Sequence, residues 1–173
     1  GCIPTKALLV SAENLEMARR ASEYGIEVGE VSVNFGTVME RKRKVVNQMV
    51  SGVEGLFKAN KVDSFKARAT LSQPGVVQLE GEGVPKEIRA ENVIIATGSV
   101  PARPPIKGID LPGVVDSTGA ISLEKIPESM VIIGGGYIGM EMAAFYQAMG
   151  TKIVVVEMLP GILTNTDEEV ARR

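Results

Sequence analysis

The sequence predicts an α/β fold. Three observations predict it: long helical patterns at the start, β-rich runs in the middle, and a βαβ unit with a glycine loop near the end. Of the 173 residues, 45% are hydrophobic and 23% are charged, as in soluble globular proteins. Length and composition therefore allow a folded core and exclude a disordered or fibrous protein.

The first two elements are predicted helices. Pro4 suits the first turn of a helix that ends near Gly25, and Asn34 is a favourable N-cap for the second. The first helix has apolar residues every three or four positions, at Leu8, Leu9, Ala12, Leu15, Ala18 and Ala21. The second has an apolar stripe of Val38, Val45, Val46, Met49, Val53, Leu56 and Phe57. Its basic run, residues 41–44, is predicted to be a solvated face and not a nucleic-acid site.

The middle of the chain predicts strands. Residues 62–71 and 76–79 are β-rich, and Pro74-Gly75 between them has the composition of a type II turn. Asn92–Ala96 is short and apolar, which predicts a fully buried strand. Prolines then interrupt residues 100–127, which indicates a connection between domains.

The βαβ unit comprises predicted strands at 130–133 and 152–157 around a helix at 137–149. The glycine loop joins the first strand to the helix and contains Gly134, Gly135, Gly136, Tyr137, Ile138 and Gly139. In a G-x-G-x-x-G loop the first glycine makes a tight turn, the second admits a pyrophosphate, and the third lets helix and strand pack closely. The helix N-terminus presents free N–H groups to the phosphates. The context predicts a dinucleotide site.

An acid at the end of the second strand indicates which dinucleotide binds. Glu157 lies about twenty residues after the loop, where a carboxylate accepts hydrogen bonds from adenosine ribose hydroxyls. A negative charge there repels the 2′-phosphate of NADP. We therefore predict NAD as the preferred nucleotide.

The single cysteine lies at the start of the first helix. Cys2 is two residues before Pro4, and Lys6 follows one turn later. A helix N-terminus and a nearby ammonium group both favour thiolate over thiol, which predicts a reactive cysteine.

Charge and hydropathy exclude other classes of partner. The net charge is −2, the aromatic content is 4%, and there is no Trp, which argues against nucleic acid. No apolar run reaches the roughly 18 residues of a membrane span, and no leader pattern opens the sequence. We expect a cytoplasmic protein that binds no membrane and no metal.

Three motifs together resemble one family. They are Gly1–Lys6, Ala96–Ser99, and Gly134–Glu141 followed by Glu157, in that order. This arrangement resembles the class I pyridine nucleotide-disulfide oxidoreductases. The resemblance implies the three-layer FAD/NAD(P)-binding α/β fold of flavoproteins with two dinucleotide-binding domains, here incomplete.

The resemblance also implies roles for single residues. Cys2 corresponds to the flavin-proximal member of a C-x4-C redox pair whose partner precedes Gly1. Lys6 corresponds to the lysine beside the flavin ring, and Glu141 to the acid that pairs with it near the nicotinamide. The second FAD motif corresponds to Thr97, Gly98 and Ser99, and a strand position whose backbone approaches the adenine corresponds to Ala69. Thr5 stands where many relatives have Ser, which keeps the hydroxyl.

The same resemblance predicts how the chain is divided. Residues 1–112 are expected to be part of an FAD-binding domain without its first glycine loop, and residues 113–173 the beginning of an NAD-binding domain. Since the sequence begins at Gly1, with Cys2 next, we expect an internal fragment of a longer homodimeric enzyme.

Within the family, residues 52–61 and Glu157 are most similar to dihydrolipoamide dehydrogenase. That similarity implies oxidation of protein-bound dihydrolipoamide with FAD and NAD, on a lipoylated carrier domain of a 2-oxoacid dehydrogenase or glycine cleavage complex. The alternatives are a mercuric reductase, a glutathione-reductase-like enzyme, an NADH oxidase, a soluble transhydrogenase, or a nucleotide-binding fragment without catalysis.

Overall fold

The computed structural model describes residues 1–164 and 166–171. The chain folds into two compact units, residues 1–49 with 101–173, and residues 50–100. The helices of the first unit are α1 (Cys2–Arg19), the beginning of α2 (Phe35–Ala59), α3 (Ser117–Ala120), α4 (Tyr137–Ala148) and α5 (Glu168–Ala171). Its strands are β4 (Ser129–Ile133) and β5 (Lys152–Val156). The second unit contains β1 (Arg68–Gln73), β2 (Val76–Glu80) and β3 (Glu87–Arg89).

The predicted βαβ unit is confirmed. Strands β4 and β5 are parallel, with Ser129 opposite Lys152 and Ile133 opposite Val156, and α4 connects them. Alternate residues of the two strands point to opposite faces, as the two-residue period of a strand requires. Met130, Ile132 and Ile153 pack against the core, and the opposite face is exposed.

The core of the first unit lies between α1, the beginning of α2 and α4. Phe145 and Tyr146 are fully buried, and Phe145 lies 6.3 Å from Phe35 between ring centroids. Leu8 of α1 is also fully buried. The Tyr146 hydroxyl donates to the Ala120 carbonyl oxygen, so α4 also holds the end of α3. The short helix α3 lies inside the segment predicted to be an irregular connection.

The helical predictions are largely confirmed, with one correction at the surface. Asn34 accepts a hydrogen bond from the Thr37 N–H at the start of α2, as predicted for an N-cap. The apolar stripe of α2 is only half buried, because Met49, Val53 and Leu56 are exposed. Periodicity shows which residues share a face of a helix, but what covers that face depends on distant parts of the fold.

The prediction of a solvated basic run is wrong for Lys42, whereas Arg41, Arg43 and Lys44 are exposed as predicted. Lys42 is only 8% exposed, and its Nζ donates to the Ile121 carbonyl oxygen at 2.5 Å. Burial, with a contribution from Arg43, lowers the pKa of Lys42. Arg41 Nη1 donates to the Ala7 carbonyl oxygen at 2.8 Å. Long basic side chains bury their alkyl stems and reach backbone carbonyl oxygens, which charge patterning alone does not show.

In the second unit β1, β2 and β3 form an antiparallel sheet in that order. The predicted turn between β1 and β2 is confirmed, because Gly75 has φ of 74°. The sequence missed β3, and β1 begins at Arg68 rather than at residue 62.

The predicted buried strand at Asn92–Ala96 is wrong in this chain. It forms no strand, and Ile94 and Ile95 are 89% and 75% exposed. A strand needs a neighbouring strand to satisfy its backbone groups, and neither sheet of the described residues includes this segment.

Candidate functional site

Helices α1 and α4 run in the same direction and are connected near both ends. In the first turns, Lys6 Nζ of α1 forms an ion pair with Glu141 Oε1 of α4. At the other end, Arg19 Nη1 donates to the Ala148 carbonyl oxygen at 2.8 Å. The N-termini of the two helices therefore lie at the same end of the unit. Cys2 is the first residue of one helix and Tyr137 the first of the other.

The Lys6–Glu141 pair combines a largely exposed ammonium group with a more buried carboxylate. The side chains are 66% and 27% exposed. Hydrogen bonding and charge attraction from Glu141 raise the pKa of Lys6, with smaller contributions from Cys2 and Glu13. Lys6 therefore stays protonated at neutral pH. Cys2 is an exposed free cysteine at the same helix end.

The three motif glycines of the loop lie in different surroundings. Gly134 has φ of 108°, a conformation that side chains rarely adopt. A Cβ at Gly139 would overlap the carbonyl oxygen of Gly134 and lie 3.2 Å from Ile132 Cγ2. Gly136 has φ of −74°, and a Cβ there would meet nothing within 4 Å. The open space at Gly136, at the N-terminus of α4, fits a nucleotide pyrophosphate.

Glu157 contacts the glycine loop directly, which the sequence did not predict. Its Oε2 accepts from the Gly135 N–H at 2.6 Å, and its Oε1 accepts from the Met158 and Leu159 N–H groups at 2.7 and 2.9 Å. The N–H groups of Leu159 and Gly135, followed by that of Met158, lower the pKa of Glu157. The carboxylate therefore remains negatively charged beside the loop at neutral and mildly acidic pH.

Two further contacts at the loop come from residues that the sequence reasoning missed. The Leu163 N–H donates to the Gly135 carbonyl oxygen at 2.8 Å, and Ile162 lies against Gly135. The only local feature that marks these contacts is the backbone of Leu163, which has a positive φ of 54°. A positive φ at leucine is not evident from a sequence.

The remaining predicted site residues lie in the second unit. Ala69 lies in β1 opposite Leu79. Thr97, Gly98 and Ser99 are exposed and irregular, and Gly98 has φ of 76° with no atom within 4 Å of a Cβ position. Glycine is thus favoured there by backbone conformation, and the exposed turn leaves room for a ligand. The FAD-binding roles of these four residues stay predictions.

The described residues contain neither a metal-binding cluster nor a membrane-spanning helix. Within 1–164 and 166–171, no three His, Cys, Asp or Glu side chains group in a way that would hold a metal ion. In the same part of the chain, every helix is too short or too polar to cross a bilayer.

The sequence profile of one family, described as pyridine nucleotide-disulphide oxidoreductase, matches residues 1–173. Dihydrolipoyl dehydrogenase of Bacillus subtilis is 40% identical over 99% of this chain, which spans 38% of that relative. The mitochondrial dihydrolipoyl dehydrogenase of Dictyostelium discoideum is 38% identical over the whole chain, which spans 36% of it. The chain therefore spans less than two fifths of these relatives.

The comparison with solved structures agrees with the family match. The Cu(II) complex of the HOCl-induced flavoprotein disulfide reductase RclA from Escherichia coli is 29% identical, with a TM-score of 0.75 over 99% of this chain and 35% of that one. The predicted α/β FAD/NAD(P)-binding fold is confirmed. The family uses FAD and NAD, which confirms the predicted cofactors. This chain belongs to the pyridine nucleotide-disulphide oxidoreductases.

Proposed function

We propose that the chain is the central part of a dihydrolipoamide:NAD oxidoreductase. The reaction converts a protein-bound dihydrolipoyl dithiol and NAD⁺ into the lipoyl disulfide, NADH and a proton. The observation that carries the proposal is the Lys6–Glu141 ion pair, because it connects the helix of the cysteine to the helix of the glycine loop. The proposed redox cysteine and the proposed nucleotide site therefore lie at the same end of the first unit.

Cys2 is proposed as the leaving thiolate of disulfide exchange. A substrate thiolate attacks the sulfur of a second cysteine, outside this chain, to which Cys2 is bonded. The new sulfur–sulfur bond joins substrate and that cysteine, and Cys2 departs as the thiolate. Exchange is faster when the leaving thiol is a good leaving group, and Cys2 is the first residue of α1, one turn before Lys6. Bound FAD would supply the two-electron chemistry between dithiol and nicotinamide.

The glycine loop and Glu157 are proposed to bind NAD in preference to NADP. The N-terminal N–H groups of α4 donate to the pyrophosphate, and Glu157 accepts from a ribose hydroxyl. Hydrogen bonds from the loop keep Glu157 ionised, so a 2′-phosphate meets a negative charge. Comparable affinity for both nucleotides in the full-length protein would contradict this assignment.

The test of the redox assignment is Cys2→Ser in the full-length protein. We expect dithiol oxidation to be abolished, together with the long-wavelength absorbance of the two-electron-reduced protein. NADH-dependent reduction of an artificial acceptor should survive, because it does not need the disulfide. Retention of dithiol oxidation and of the absorbance would overturn the proposal.

For the 173-residue chain by itself we propose nucleotide binding without turnover. Cys2 is the only cysteine, so the chain cannot form an internal disulfide. The apolar residues of Asn92–Ala96 are exposed, which is unfavourable for a tightly bound flavin nearby. Purification of the chain with yellow flavin and NADH-driven acceptor reduction would contradict this.

Partner, assembly and compartment follow as proposals from the dihydrolipoyl dehydrogenase relatives. The partner is a lipoylated carrier domain of a 2-oxoacid dehydrogenase or glycine cleavage complex. The full-length protein is proposed to be a cytoplasmic homodimer. Light scattering of the full-length protein, and reduction of its flavin by an isolated dihydrolipoyl domain, would test the assembly and the partner.

A further inference from the structure

The peptide groups of Gly135 are held on both sides by residues that follow β5. Its N–H donates to Glu157 Oε2 at 2.6 Å, and its carbonyl oxygen accepts from the Leu163 N–H at 2.8 Å. The backbone of Leu163 reaches this position with φ of 54°, and its own carbonyl oxygen accepts from the Thr166 N–H at 2.8 Å. Unusual backbone conformations persist where surrounding contacts fix them.

Ile162 covers Gly135. A Cβ added at Gly135 would lie 2.8 Å from Ile162 Cγ2 and 3.3 Å from Ile162 Cα. Because Gly135 does not have a positive φ, its neighbours are what disfavour a side chain at this position. Ile162 makes the shortest contact, and Glu157 Oε2 would lie 3.2 Å from the added Cβ. The residues after β5 therefore form a cover over the loop.

The contact at the Gly135 carbonyl has a directional consequence. The Gly135 C=O and the Gly136 N–H belong to one planar trans peptide, in which the two groups point in opposite directions. Since the carbonyl points to Leu163, the Gly136 N–H points away from the cover. Gly136 is also the glycine with open space beside it, where the proposed pyrophosphate would accept hydrogen bonds.

We propose that Ile162 and Leu163 are positioning residues that fix the Gly135–Gly136 peptide and so aim the Gly136 N–H at the nucleotide phosphate. The inference rests on the proposed NAD site. It adds a role for two residues outside the glycine motif that need not touch the nucleotide. The cover also explains why a side chain at the second position of the loop would be crowded.

The first test is Ile162→Ala in the full-length protein, with Ile106→Ala as the matched control. The two isoleucines are 38% and 39% exposed, so the same atoms are removed from equally covered sites. In nucleotide-free protein, hydrogen exchange of the Leu163 amide should be about tenfold faster in Ile162→Ala. NADH binding should weaken by about tenfold. Ile106→Ala should change neither.

A second test uses Gly135→Ala alone and combined with Ile162→Ala. If Ile162 covers Gly135, the single glycine change should weaken NADH binding strongly, and the double variant should bind better than Gly135→Ala alone. Losses that simply multiply would overturn the proposal. Far-UV circular dichroism of both variants should match that of the unmodified protein, which shows that the fold is intact.

The two proposals fail in different ways. If the unmodified protein does not bind NADH, the proposed function is wrong, and the exchange of the Leu163 amide still decides whether the cover exists. If NADH binds but Ile162→Ala alters neither exchange nor affinity, the positioning role is wrong and the NAD site stands.

Discussion

Two turns that contain glycine each follow a short apolar run: residues 134–139 follow 131–133, and residues 97–99 follow 93–96. The first turn is held by Glu157 and Leu163 and continues into a packed helix. The second follows an apolar run that is exposed and forms no strand. The difference is in where the partners come from. Glu157 and Leu163, which hold the glycine loop, follow it by fewer than thirty residues. The strand predicted at 92–96 needs neighbouring strands that the described residues do not supply.

The largest expected effect comes from Gly139→Ala. The new Cβ would overlap the Gly134 carbonyl oxygen, and backbone cannot move aside as a side chain can. We expect a loss of about 3 kcal/mol in the free energy of unfolding, measured by urea denaturation of the chain. A loss below about 1 kcal/mol would mean that the loop is not tightly packed, and the contrast between the two turns would disappear.

Gly134→Ala and Gly98→Ala compare the two turns directly, since both glycines have positive φ, 108° and 76°. A side chain in such a conformation costs about 1–2 kcal/mol where the backbone is held. We expect that loss for Gly134→Ala. Gly98→Ala should cost less than about 0.5 kcal/mol in the isolated chain, because an unsupported segment changes conformation instead. Equal losses would show that both turns are held equally firmly.

Tyr146→Phe tests the support behind the loop helix. The buried hydroxyl donates to the Ala120 carbonyl oxygen, so its removal should cost about 1 kcal/mol at neutral pH. Burial raises the pKa of Tyr146 to about 12, above the value of about 10 in an unfolded chain. The contribution is therefore complete below about pH 10 and lost as the pH rises through about 12. Urea titrations across that range should show a shallower alkaline decline in Tyr146→Phe, and an unchanged slope would contradict the assignment.

The smallest expected effect on stability is that of Gly136→Ala. Its φ of −74° suits any residue and its Cβ position is open, so unfolding should change by less than about 0.5 kcal/mol. The same methyl group would occupy the proposed phosphate position, and NADH binding by the full-length protein should weaken by about tenfold. Unchanged affinity measured by fluorescence titration would place the phosphate elsewhere.

The sequence predicted elements whose determinants are local. The Asn34 N-cap, the Pro74-Gly75 turn and the βαβ unit each depend on residues close together in the chain, and all three are confirmed. The predicted strand at 92–96 failed because its pairing depends on distant residues. The contacts of the candidate site also divide into those that the sequence indicates and those that depend on the fold. The Lys6–Glu141 contact was implied by resemblance, whereas the contacts of Ile162 and Leu163 depend on a leucine with positive φ, which no sequence pattern indicates.

The connection of α1 and α4 near both ends has a mechanical consequence. The Lys6–Glu141 ion pair and the Arg19–Ala148 hydrogen bond hold α1 and α4 side by side, and the side chains packed between the two helices keep them apart. Leu8 of α1 and Phe145 of α4 belong to the core cluster, and neither is a residue of the candidate site. The separation of the two helix N-termini is thus in part a dimension of the hydrophobic core, and a change in core volume would alter it without altering any residue of the candidate site.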